Sequence, residues 1–313
     1  MGKHLEGKVV AVTGGGRGIG RAISLAAAAE GASVVVADYG GEVKSRSGGS
    51  SEAADSVVAE IEAAGGQAVA SATDISTMAG GQEVVDVAVK NFGRLDGMVC
   101  CAGITVTKYL WEISEKEWDD VLNTHIKGHF SCAKAAAEVM MEQRFGRMIF
   151  FSSGALTGMP NMTAYATAKA GILGFTWSTA YALARFGITT NCLIPSAATR
   201  MSDSIYGNAG TLSNRFGDTM KSELADGTYR DPANMAPLVI FLLSDAAQQI
   251  NGQVFRVQGY EIAKMNMMSF TNPPMTNLGP WDVDVLAERL PAALGPNLTP
   301  LPIPWPERKE DKA

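Results

Sequence analysis

Short apolar, β-branched runs of five to seven residues alternate along this chain with longer stretches in which apolar residues recur at helical spacing. Read for period, residues 8–12, 33–37, 67–72, 95–100, 147–151, 188–194 and 253–257 are strands; residues 21–30, 56–64, 82–92, 115–143 and 163–186 carry helices. Strands alternating with helices over roughly 250 residues predict an α/β fold with a doubly wound parallel sheet, one domain over residues 1–262. Two stretches break the rhythm. Residues 39–52, rich in glycine and serine, read as an inserted surface loop. Residues 196–231 lack periodicity and mix Met201, Tyr206, Phe216, Met220 and Tyr229 with glycines, which reads as a mobile lid over a substrate. Beyond Tyr260 the composition shifts, with nine of the thirteen prolines in the last 41 residues. Residues 263–313 are therefore a C-terminal extension, expected to pack on the body and to hold one short helix at 283–289.

The ends of the strands carry the chemistry. The first strand runs into Thr13-Gly14-Gly15-Gly16-Arg17-Gly18-Ile19-Gly20, an alanine-rich helix follows, and the second strand stops at Asp38. Strand, glycine turn, helix, strand, acid is the order of a dinucleotide-binding βαβ unit, which makes the expected sheet Rossmann-type. Gly14, Gly18, Ile19 and Gly20 would let the backbone approach a pyrophosphate at a helix N-terminus. The spacing is G-x-x-x-G-x-G rather than G-x-G-x-x-G. Asp38 can accept hydrogen bonds from both adenosine ribose hydroxyls and would repel a 2′-phosphate, favouring NAD over NADP. Arg17 pulls the other way, but the carboxylate stands where that phosphate would go. Asp74-Ile75, Ala102-Gly103, Ser152-Ser153 and Pro195 also close strands, so all of them point to one shared site. Tyr165 and Lys169, four apart in a helix, share a face. An ammonium beside a phenol favours the phenolate and makes Tyr165 a usable acid/base at neutral pH.

Bulk properties narrow the field. The 313 residues are 46% hydrophobic, enough for a full core, and the net charge of −6 comes with no basic run. That balance argues against nucleic acid and anionic membrane as partners. Residues 1–12 show no signal-peptide pattern, and no apolar run is long enough to span a bilayer. Cys100, Cys101, Cys132 and Cys192 lack metal-type spacing and read as buried free thiols of a cytoplasmic protein. His125 and His129 lie four apart, but without an H-E-x-x-H pattern and with only His4 besides, no metal site is expected.

With these residues placed, residues 6–262 resemble the short-chain dehydrogenase/reductase family. The likeness rests on the Thr13-to-Gly20 turn, Asp74, Ala102-Gly103, the Ser-Ser pair before Tyr165, and Pro195, in the family's order and near its spacing. Within the family, the Gly-Gly insertion after Asp38, His125-Ile-Lys-Gly-His-Phe, Pro195-Ser-Ala-Ala-Thr199-Arg-Met and the proline-rich tail are closest to (3R)-hydroxyacyl-CoA dehydrogenase modules. The resemblance implies that a serine hydroxyl orients the substrate oxygen and Tyr165 passes the proton. It also implies that Lys169 lowers the tyrosine pKa and binds the nicotinamide ribose, with Thr199 a further cofactor contact. Counting forward from Gly146 gives Ser153 as that serine; counting back thirteen residues from Tyr165, the family interval, gives Ser152. A strand tolerates length change less well than a loop, which favours Ser153.

Three departures from the family pattern matter. His125 stands where the family commonly has an asparagine that helps hold a water on the proton path, and a titrating histidine would add pH dependence. Cys100-Cys101 replaces Asn-Asn before Ala102-Gly103, and Ser196 replaces the glycine after Pro195. The expected function is an NAD-dependent interconversion of a secondary alcohol and a ketone on a largely apolar small molecule. A 3-hydroxyacyl-CoA comes first, a steroid, cyclic or aromatic alcohol next; a catalytically silent NAD-binding protein is the alternative of another class. Wide apolar faces on the helices at 115–143 and 163–186, together with the family likeness, imply a homotetramer or homodimer.

Overall fold

The computed structural model describes residues 3–206, 220–266 and 283–293. Eight strands form one sheet in the order β3-β2-β1-β4-β5-β6-β7-β8. They are β1 Val9–Thr13, β2 Ser33–Ala37, β3 Gln67–Ser71, β4 Gly97–Cys100, β5 Gly146–Phe151, β6 Ile188–Ser196, β7 Val254–Gln258 and β8 Glu261–Lys264. The first seven run parallel, and β8 closes the edge antiparallel to β7. The sheet is therefore doubly wound, as the alternation predicts.

Alternation within each strand sorts side chains onto two cores. Val10 and Val12 of β1, with Ile149 and Phe151 of β5, pack under α1 (Gly18–Ala29), α2 (Glu52–Ala63) and α8 (Ala236–Leu243). Val9, Ala11, Met148 and Phe150 face α3 (Met78–Phe92), α5 (Gly128–Gln143) and α6 (Thr163–Leu183). Because both faces are covered, β1 and β5 are buried along their whole length, which is why they read as continuous apolar runs.

Helix starts depart from the periodicity where a cap intervenes. The Thr77 side chain accepts the Gly80 N–H at 2.9 Å, so α3 begins four residues before the apolar repeat. Ser114 and Glu117 form a reciprocal capping box that starts α4 (Glu115–Leu122). The helix expected over 115–143 is continuous but widens at Asn123–Lys127, where the Gly128 N–H bonds the Asn123 carbonyl five residues back.

Three elements have no counterpart in the sequence reading. Helix α8, Ala-Pro-Leu-Val-Ile-Phe-Leu-Leu, is buried on nearly every side and so shows no helical period. Strand β8 is four exposed residues paired only with β7. The stretch expected to form a lid contains α7 (Arg200–Tyr206) and resumes at Met220; its middle, 207–219, lies outside the described residues. The chain divides into Met1–Met265 and Asn266–Ala313. In the second unit the short helix is α9, Val283–Ala293, and most of the expected extension lies outside the described residues. No described helix is long and apolar enough to cross a membrane.

Candidate active site

From β1 the chain winds outward through β2 to β3 and then returns to β4 on the other side of β1, with Thr13 paired to both Ala37 and Cys100. A crevice opens where that order reverses. Thr13 ties its two walls: Oγ1 accepts the N–H of Cys101 at 3.1 Å and of Ala102 at 3.3 Å. Gly14 has φ +66, and a Cβ there would stand 2.8 Å from the Ala102 Cα, so the turn passes the end of β4 only as glycine. A Cβ on Gly20 would strike the Gly14 carbonyl. A bare backbone and the N-terminus of α1 thus face the crevice, a cradle shaped for a pyrophosphate.

Asp38 stands at the end of β2. Its Oδ2 accepts the Gly16 N–H at 3.0 Å and its Oδ1 the Gly40 N–H at 2.8 Å. The two bonds fix the carboxylate at the cleft wall and leave lone pairs for ribose hydroxyls. Arg17 Nη1 reaches the Gly41 carbonyl at 3.4 Å. Arg200, whose pKa is lowered by burial and then by the charge of Arg17, lines the same cleft. Neither arginine has an ion-pair partner among the described residues, so both leave positive potential beside the glycine turn. Thr199 faces Gly18 with its methyl, and its N–H bonds Ser202 Oγ at 2.7 Å.

At the other end, α6 brings Tyr165 and Lys169 into the cleft, 6% and 4% exposed. Lys169 Nζ lies 5.4 Å from the Tyr165 ring centroid and donates to the Phe151 carbonyl at 2.7 Å. Burial lowers the Lys169 pKa to about 8, and the thiols of Cys101 and Cys192 offset part of that effect. The group therefore remains an ammonium at neutral pH, in a medium where it acts strongly on a phenol. The Tyr165 hydroxyl also contacts Met201 Sδ of α7 at 3.6 Å, which sets the start of the 196–231 stretch directly on that side chain.

The two serines differ in what holds them. Ser152, 2% exposed, borders the cleft, but its hydroxyl donates to the Lys169 carbonyl at 2.7 Å. Ser153 is half-buried, and its Oγ accepts the Ala155 N–H at 3.2 Å, leaving its proton without an acceptor among the described residues. The turn that Ser153 opens, Gly154–Thr157, packs Ala155 into the same apolar cluster as Tyr165.

His125 is fully buried, and its ring meets the Tyr165 ring edge-on at 5.2 Å between centroids. Its Nε2 sits 2.8 Å from the Ile104 carbonyl, so it holds the loop after β4 against the helix. Burial, then the Lys169 charge, drive its pKa well below the usual histidine range. The ring stays neutral, and the added pH dependence expected of it does not follow from this environment. Cys101 lines the cleft as a thiol whose pKa burial raises to about 12. Asp74, Ile75, Ala102, Gly103 and Pro195 border the same cleft, of about 250 Å³. Among the described residues no cluster of three His, Cys, Asp or Glu could hold a metal.

Sequence reasoning missed the part of the wall supplied by the loop at 39–52. Val43, Ser45 and Arg46 line the cleft, and Arg46 Nη2 bonds the Asp74 carboxylate at 2.6 Å. Nothing local announces this contact, because its partners lie far along the chain.

The family model described as short chain dehydrogenase matches residues 8–208. Hydroxyacyl-CoA dehydrogenase ChsB1 of Mycobacterium tuberculosis is 38% identical over 267 residues, 82% of this chain and 79% of that protein. Peroxisomal multifunctional enzyme type 2 of Drosophila melanogaster is 36% identical over 264 residues, 84% of this chain; the match spans only 41% of that longer protein. The crystal structure of a short chain dehydrogenase from Mycobacterium avium superposes with a TM-score of 0.81 at 38% identity, covering 96% of this chain and 99% of that one.

Proposed function

The chain belongs to the short-chain dehydrogenase family, a family of NAD(P)-dependent oxidoreductases, and we propose that it uses NAD to interconvert a secondary alcohol and a ketone. The observation that carries this reading is the convergence of Tyr165, Lys169, Asp38 and the glycine turn on one cleft.

The residues fit the cofactor. The glycine turn, where Gly14 and Gly20 leave no room for a Cβ, would receive the pyrophosphate, with Arg17 and Arg200 beside it. Asp38 would hold the adenosine ribose and Lys169 the nicotinamide ribose, with Asp74, Ile75, Ala102, Gly103, Pro195 and Thr199 completing the wall. When bound, the nicotinamide supplies or accepts the hydride. The chain's own residues manage the proton. Tyr165 takes it from the alcohol hydroxyl, or returns it to the alkoxide in reduction, and the Lys169 ammonium stabilises the phenolate. Ser153, with its unused hydroxyl proton, donates the second hydrogen bond to the substrate oxygen; Ser152 holds α6 through the Lys169 carbonyl.

The substrate we propose is a 3-hydroxyacyl-CoA. Ile104 and Met201 line the cleft beside Tyr165 and give it an apolar wall suited to an acyl chain, and the name of the Mycobacterium tuberculosis relative agrees. Phe130 and Tyr181, exposed at 45% and 80% on α5 and α6, support a homo-oligomer built on those helices. An absorbance screen with NAD and NADP against 3-hydroxyacyl-CoA, steroid and aromatic alcohols tests the whole reading. Turnover with NAD and the thioester, inhibited by free CoA, is the expected result. A cofactor that binds with no turnover of any alcohol would mean a silent NAD-binding protein instead.

A further inference from the structure

The loop between β2 and α2 is closed on itself and tied down at three places. Its stem is held by the Ser50 N–H to the Tyr39 carbonyl at 2.8 Å, and its interior by Glu42 N–H to Ser47 carbonyl at 3.1 Å. Such short closure between chain ends makes a compact loop rather than a trailing one. From there the loop crosses the mouth of the cleft. The Val43 carbonyl accepts the N–H of Thr105, beyond β4, at 2.9 Å. Arg46 reaches Asp74 after β3 at 2.6 Å and Asp120 on α4 at 3.7 Å. The bridge therefore joins the far wall of the cleft, where β2 and β3 end, to the helix that packs beside the tyrosine.

Three properties set Arg46 apart from an ordinary surface ion pair. Asp120 is only 12% exposed and Arg46 31%, so the contact is partly shielded from solvent. Two carboxylates converge on one guanidinium; without it Asp74 keeps the Ser76 N–H at 3.0 Å and Asp120 the Lys116 ammonium at 2.5 Å. Arg46 Nε is buried and has no acceptor among the described residues, although the side chain lines the cleft. A buried N–H without a partner is costly, and a ring nitrogen of an adenine bound between Asp38 and Asp74 is an acceptor of the right kind.

We propose that Arg46 is a positioning residue for the adenosine half of the cofactor. It pins the 39–50 loop across that end of the cleft and leaves one donor for the base. The proposal rests on the dinucleotide reading of the site. Its effect falls on release, because a loop closed over a ligand must open before the ligand leaves.

The test compares the unaltered protein with Arg46→Ala, Arg46→Lys and Asp120→Asn. NADH, AMP and nicotinamide mononucleotide are the probes, followed by fluorescence or competition titration and by stopped-flow dissociation. Arg46→Ala is expected to weaken NADH and AMP by about tenfold, chiefly through faster dissociation, and to leave nicotinamide mononucleotide unchanged. KM for NAD should rise by a similar factor while KM for the alcohol stays put, a split that general loosening of the fold would not produce. Arg46→Lys keeps a cation but loses the fork, and Asp120→Asn loses one arm; each should show a smaller loss of the same kind, which carries the test should Arg46→Ala fail to fold. Unchanged AMP and NADH affinity in the folded variants overturns the proposal. Failure of the unaltered protein to bind NADH at all removes the dinucleotide reading instead.

Discussion

Replacing Lys169 by Met should remove catalysis and at the same time change how stability depends on pH. The ammonium is 4% exposed, and burial lowers its pKa from 10.5 to about 8. That difference of about 2.5 units corresponds, at about 1.36 kcal/mol per unit, to a cost on the order of 3 kcal/mol for keeping the charge buried. The folded state binds fewer protons than the unfolded chain between about pH 8 and 10.5, so stability rises with pH across that window. Below pH 8 the cost is borne in full. By about pH 9.5 roughly 2 kcal/mol of it has gone, because the folded-state lysine is by then neutral. Methionine fills the same unbranched volume without a charge. It also loses the bond to the Phe151 carbonyl, worth about 2 kcal/mol for a charged donor. The variant should therefore be about 1 kcal/mol more stable than the parent near neutral pH and less stable at about pH 9.5. Urea unfolding of both cofactor-free proteins at the two pH values measures this. Parallel stability curves would refute the argument, since they would mean that Lys169 carries no buried charge.

Ser153→Ala should lower kcat by about 10²-fold or more, as loss of a donor to the reacting oxygen does. Ser152→Ala should instead cost about 1 kcal/mol of stability through the lost bond to the Lys169 carbonyl, read by thermal melting; the reverse pattern would exchange the two roles. Asp38→Ala should shift the ratio of kcat/KM for NAD over NADP toward NADP by about tenfold or more, about 1.4 kcal/mol, with Arg17 left to meet the added phosphate. The pH profile of kcat/KM should show no inflection from His125, because burial keeps that ring neutral; a profile whose neutral-range inflection vanishes in His125→Asn would contradict this.

Strands β1, β2, β4 and β5 were legible because each is apolar on both faces and runs into a residue of a different kind: Thr13, Asp38, Cys101 or Ser152. Where those strands end is where the cleft lies, so most of the wall could be named in advance. The rest failed for physical reasons that differ from place to place. Helix α8 is buried almost all round and so loses its period, whereas β8 is too short and too exposed to show one. Arg46 looked like part of a solvated loop because its contacts depend on tertiary folding, not on spacing. The choice between Ser152 and Ser153 turned on a one-residue difference in loop length; Ser152 borders the cleft with its proton given to the Lys169 carbonyl, whereas Ser153 stands outside the cleft lining with its proton unused among the described residues.

The most direct test of the account is Tyr165→Phe, which removes one hydroxyl and nothing else. NADH formation from the alcohol substrate, measured in a single turnover with enzyme in excess, should fall by about 10³-fold or more, within the range for loss of a general acid/base. NADH binding, titrated on the same sample, should persist, because the glycine turn, Asp38 and Lys169 are untouched. Undiminished hydride transfer in that variant would contradict the claim that the phenol beside Lys169 carries the proton.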